Sequence, residues 1–182
     1  MALDTYMVLA NQYNKESDAL ADYNAVRTLY TDLGIIDTYD AAVLTRQPDG
    51  TVKITKRVEE PTRHGAVGGL LVGLAVGAIA VLFPGIGIGV AAKVITSTVL
   101  GTTIGAVSAH VARGMKRSDL NELGELLDEG TSGLVVVAAS DLSDRVEAAI
   151  TRAKKRAKAR LQADVDAMKK EIDEFDSVAA TL

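Results

Sequence analysis

Residues 65–83 read GAVGGLLVGLAVGAIAVLF and residues 94–112 read VITSTVLGTTIGAVSAHVA; each stretch is 19 residues long and carries no formal charge. Between them stand Pro84-Gly85-Ile86-Gly87-Ile88-Gly89 and then Lys93. Proline lacks an amide hydrogen and glycine is a weak helix former, so Pro84, Gly85, Gly87 and Gly89 predict a turn or a broken helix. As a helix, either stretch would be about 28 Å long, near the roughly 30 Å thickness of a bilayer core. Residues 65–114 are therefore expected to form a hydrophobic helical hairpin. Its flanks are basic, with Arg57, Arg63 and His64 before it and Arg113, Lys116 and Arg117 after it. By the positive-inside rule both ends face the cytoplasm, which places the hairpin in the cell inner membrane with both termini cytoplasmic. Lys93, near the tip, is suited to snorkel to the far interface.

Glycine sets the packing expected of the arms. Gly65, Gly69, Gly73 and Gly77 recur every four residues on the first arm, and Gly101 and Gly105 repeat the spacing on the second. Such rows share one helix face and make a groove where another backbone can approach closely. In water each of these glycines weakens a helix by about 1 kcal/mol relative to alanine. Lipid or tight protein packing must offset that cost. The rows are thus candidate helix-packing and oligomerisation residues, and a homo-oligomer is the expected partner state. The second arm also contains Thr96, Ser97, Thr98, Thr102, Thr103 and Ser108. This keeps open an alternative, a cytoplasmic homo-oligomeric shell, ring or filament with the hairpins buried inside.

The rest of the chain differs in composition. Of 182 residues with a net charge of -4, residues 1–64 hold 7 basic and 10 acidic side chains and residues 113–182 hold 12 and 14, against Lys93 alone between. Cysteine is absent, which excludes a disulfide scaffold, a thiolate metal site and a cysteine nucleophile. Met1-Ala2-Leu3-Asp4 lacks the basic and apolar regions of a signal peptide.

Strands are expected at 5–11, 35–46 and 51–58, with a helix over 15–33 ending at Gly34 and a Gln47-Pro48-Asp49-Gly50 turn. After the hairpin, 119–128 reads as a helix and Ser132–Ala139 (SGLVVVAA) as a buried strand. Together the flanks spell βαββαβ, so the expected fold is α+β. A ferredoxin-like domain (1–64 and 115–142) would carry the hairpin (65–114) inserted between its third strand and second helix. Residues 143–182 are expected to be a long amphipathic helix, with a stripe of Val146, Ile150, Ala153, Ala157, Leu161, Met168, Ile172 and Phe175. Beside this stripe Arg152, Lys154, Lys155, Arg156, Lys158 and Arg160 place six bases in nine residues, suited to anionic lipid or an acidic partner. No aromatic residue interleaves with them for base stacking, so no nucleic acid is expected.

Candidate chemistry is sparse. The Gly85–Gly89 run lacks the acidic residue that a dinucleotide fingerprint requires. His64 and His110 stand one at each base of the hairpin without the four ligands zinc usually takes. Gly130-Thr131-Ser132-Gly133 reads first as a helix-to-strand turn and second as an anion cradle. Asp37 and Asp40 are most simply solvated. No acid, base and nucleophile constellation is visible, so no enzyme and no cofactor are expected.

The glycine rows, Tyr39–Leu44 (YDAAVL), Asp49–Ile54 (DGTVKI) and Leu126–Val137 (LLDEGTSGLVVV) together resemble a bacterial family of unknown function. Its members are described as membrane proteins and some as general-stress-like proteins. The resemblance spans most of residues 5–140 and leaves the C-terminal segment aside, and the family it points to usually has alanine where this chain has Gly133. It implies location and architecture and no catalytic residue. The expected function is a non-enzymatic, self-associating membrane protein that scaffolds or remodels the inner face of the envelope, with a small-ligand regulatory domain as a further alternative.

Overall fold

Ser132–Ala139 is apolar on both sides, and in the computed structural model it lies inside a six-stranded sheet with helices on both faces. The structure describes residues 4–35, 39–57, 74–82, 88–90, 107–128, 130–164, 166–167 and 170. In chain order the elements are β1 (Asp4–Tyr13), α1 (Glu16–Asp32), β2 (Tyr39–Arg46), β3 (Val52–Arg57), α2 (Leu74–Leu82) and β4 (Ile88–Val90). They continue with α3 (107–114), α4 (Arg117–Asp128), β5 (Ser132–Ala139), α5 (Ser143–Ala149) and β6 (Lys155–Ala163). The sheet order is β4-β3-β2-β5-β1-β6. All neighbours are antiparallel except β4, which runs parallel to β3. It follows that β1 and β2 are parallel with β5 between them, and β5 and β6 are parallel with β1 between them.

Burial explains the order. In β5, Leu134, Val136 and Ala138 face one core with α1 and α5, while Val135 and Val137 face the other with α2, α3 and α4. A strand buried on both faces needs a run of apolar residues rather than alternation. β3 carries Lys53 and Lys56 and lies farther out. A βαββαβ sheet built from 5–11, 35–46, 51–58 and 132–139 would set 51–58 between the first two strands; β5 takes that place instead.

Over 143–163 the long C-terminal helix expected for 143–182 is replaced by a short helix and a strand; residues 171–182 lie outside the described residues. α5 ends at Ala149, and β6 pairs along β1 from Asp4–Ala163 to Gln12–Lys155. Ala159, Leu161 and Ala163 are buried while Arg156, Lys158, Arg160 and Gln162 are exposed, a period of two. Alanine, a strong helix former, masks that alternation in the sequence. Asp164 then accepts the Ala167 N–H at 2.9 Å, capping a further helical turn.

Of the expected hairpin the structure describes 74–82, 88–90 and 107–114. Residues 74–82 of its first arm form α2, only nine residues long, lying against β2 and β5. Gly89, expected in the turn, is in β4 and pairs with Lys53. The alternation Ile86-Gly87-Ile88-Gly89-Val90 is a strand pattern that the Pro/Gly content concealed. Among the described residues no helix is long and apolar enough to cross a membrane.

Local stops behave as their chemistry requires. Gly34 has φ +70°, and the Gly34 and Ile35 amides bond to the carbonyls of Thr31 and Tyr30, ending α1 in a Schellman motif. Gly50, at φ +84°, closes the turn onto the Gln47 carbonyl.

Tyr30 of α1 stacks on Tyr39 of β2 with centroids 4.1 Å apart, and its buried hydroxyl has no hydrogen-bond partner among the described residues. Burial raises its phenol pKa, aided by Tyr39 and Asp141. Burial also raises that of Tyr13, aided by the Asp22 charge and hydrogen bond. Both folded pKa values exceed the unfolded value near 10, so their stabilisation is complete below about pH 10 and is lost as pH rises further. Denaturant midpoints should therefore hold from pH 8 to about 9.5 and fall above it. Tyr30→Phe should reduce that fall and raise stability at neutral pH by up to about 1 kcal/mol, since it removes an unsatisfied buried hydroxyl. Urea titrations at pH 7 and pH 10.5 measure both effects.

Candidate functional site

The charge-free insert meets the sheet at α2. Leu74, Ala75, Ala78 and Ile79 are buried, in a core shared with Ala42 and Leu44 of β2, Val135 and Val137 of β5, and Leu123 and Leu127 of α4. Gly77 sets how closely α3 approaches. A Cβ there would lie 2.6 Å from Val107 Cγ1 and 3.4 Å from the Ser108 nitrogen. Valine is stiff at χ1, so the contact depends on glycine. It joins two helices of one chain. Gly65, Gly69, Gly73, Gly101 and Gly105 lie outside the described residues, as do Pro84, Gly85 and Gly87.

The start of α2 is held by a carboxylate. Asp40 on β2 is 1% exposed; its Oδ2 accepts the Ala75 N–H at 2.9 Å and its Oδ1 accepts the Ala41 N–H at 3.0 Å. A helix leaves its first amides unpaired and carries partial positive charge at that end, so a carboxylate there supplies both an acceptor and a counter-charge. Asp40 is thus not solvated, contrary to the sequence expectation; Asp37 lies outside the described residues. The signal was present in Tyr39–Leu44, where one charge interrupts a run of apolar side chains.

Asp22 is a second buried carboxylate, fully enclosed on α1. Its Oδ2 accepts the Tyr13 hydroxyl and the Arg152 backbone N–H, both at 2.9 Å, and its Oδ1 receives the Arg152 guanidinium at 3.3 Å. This ties α1 to β1 and to the segment between α5 and β6. Asp22 falls beside Tyr23 on the stripe of Ala19, Tyr23, Val26 and Tyr30, a position that marks a buried acid.

The six basic residues spread over a strand and the segment leading into it, rather than along a helix. Arg152 is engaged by Asp22. Lys158 meets Glu147 at 2.7 Å and Asp144 at 3.6 Å, and hydrogen bonding to Glu147 raises its pKa. Arg156 donates to the Glu147 carbonyl at 3.3 Å. Lys154, Lys155, Arg156 and Arg160 are exposed. Charged side chains on an outer strand also discourage edge-to-edge pairing.

The Gly130–Gly133 segment is a structural joint. The Thr131 hydroxyl donates to the Asn14 carbonyl at 2.7 Å and that of Ser132 to the Leu44 carbonyl at 2.9 Å. A Cβ on Gly133 would lie 2.7 Å from Leu127 Cδ2 and 3.2 Å from Leu44. That crowding favours glycine at this position. His64 lies outside the described residues. Among those residues no group of three or more metal-ligating side chains is found.

The fold is a mixed α+β sheet covered on both faces, and its conspicuous site is the joint between a charge-free insert and that sheet. The chain belongs to the family described as protein of unknown function (DUF1269), which matches residues 66–173. The match begins in the insert and runs through β6, so it includes most of the C-terminal segment that the sequence resemblance left aside. Its strands β5 and β6 are not neighbours: β1, from outside the matched region, lies between them. No curated protein and no solved structure matches the chain.

Proposed function

We propose that this is a non-enzymatic, self-associating protein whose charge-free insert packs between its own sheet and the same insert of another copy. The observation that carries the reading is α2. Every residue of LAVGAIAVL is apolar or glycine; β2 and β5 lie against one side and α3 and α4 cover part of the rest, leaving Ala80, Val81 and Leu82 only partly buried. The partly buried end of a helix apolar all round favours a further dry surface. In this reading Gly65, Gly69, Gly73, Gly101 and Gly105 set the contacts between copies, and the frame β1-α1-β2-β5-α5-β6 is ferredoxin-like, with the span between β2 and β5 inserted into it.

A second reading makes that surface a bilayer, with the protein a scaffold or remodelling element at the cytoplasmic face of the inner membrane. Arg113, Lys116 and Arg117, exposed beside the end of α3, favour it, as do the two 19-residue charge-free stretches. The link to stress rests on the family resemblance alone.

Flotation of untagged protein followed by native mass measurement tests both readings. Self-association predicts an oligomer that remains in the detergent-free soluble fraction, and Gly73→Leu should shift it toward monomer. Co-flotation with lipid supports the second reading. A wild-type monomer in the soluble fraction refutes both.

A further inference from the structure

We draw no further inference here: the strongest candidate, the outer edge of β6 with its exposed Arg156, Lys158 and Arg160, carries none, because nothing in the structure shows what covers that edge and a row of like charges equally serves to keep it unpaired.

Discussion

Replacing Gly114 by alanine should cost about 3 kcal/mol or more of stability, the upper range for overpacking a fixed site. Gly114 is the last helical residue of α3 and abuts β6. A Cβ there would fall within the contact radius of the Gln162 carbonyl oxygen, 2.8 Å from Leu161 Cδ1 and 3.1 Å from the Gln162 carbonyl carbon. The obstacle is backbone, so rotation of one side chain cannot relieve it. Shifting β6 would disturb its pairing with β1, and Leu161 is fully buried. Gly124, inside α4, is the internal control. A Cβ there meets only the Leu82 carbonyl oxygen at 3.5 Å, an ordinary contact. Gly124→Ala should therefore stabilise by up to about 1 kcal/mol through helix propensity. Urea denaturation of the two variants should give shifts of opposite sign. Equal shifts would mean that α3 does not approach β6 as described.

Asp22→Ala should destabilise by about 2–4 kcal/mol, because it removes the acceptor of three hydrogen bonds at once. The Tyr13 hydroxyl and the Arg152 amide would be left in a buried place with a small void. Most of the loss comes from those stranded donors, since the Arg152 guanidinium is half-exposed and can turn to water. Arg152→Gln keeps the backbone N–H bond and should cost no more than about 1 kcal/mol. Chemical denaturation of both variants separates the contributions. A comparable loss in the two would place the energy in the ion pair rather than in the buried carboxylate.

These acids also show where sequence reading stopped. Asp22 and Asp40 were visible as single charges on apolar patterns, yet what satisfies them is remote: Arg152 and Ala75 lie 130 and 35 residues away. The basic cluster was legible as a cluster and misread as a helix. Its alternation with buried Ala159, Leu161 and Ala163 fits a strand, while its alanines and long side chains favour a helix locally. Pairing with β1 outweighs that preference.

The sequence by itself determined the uneven division of charge, the apolar strand at Ser132–Ala139, the stop of α1 at Gly34 and the turn at Gly50. Each of these depends on the residue itself or on near neighbours: its hydrophobicity, its freedom at positive φ, the spacing of its side chains. Tertiary structure alone decided the strand order, the use of Leu74–Leu82 to cover a sheet face, and the conversion of Lys155–Ala163 into an outer strand. Those outcomes depend on hydrogen bonds and apolar surface contributed from distant parts of the chain, and local propensity differences of a fraction of a kcal/mol per residue, about 0–0.7, are too small to resist them.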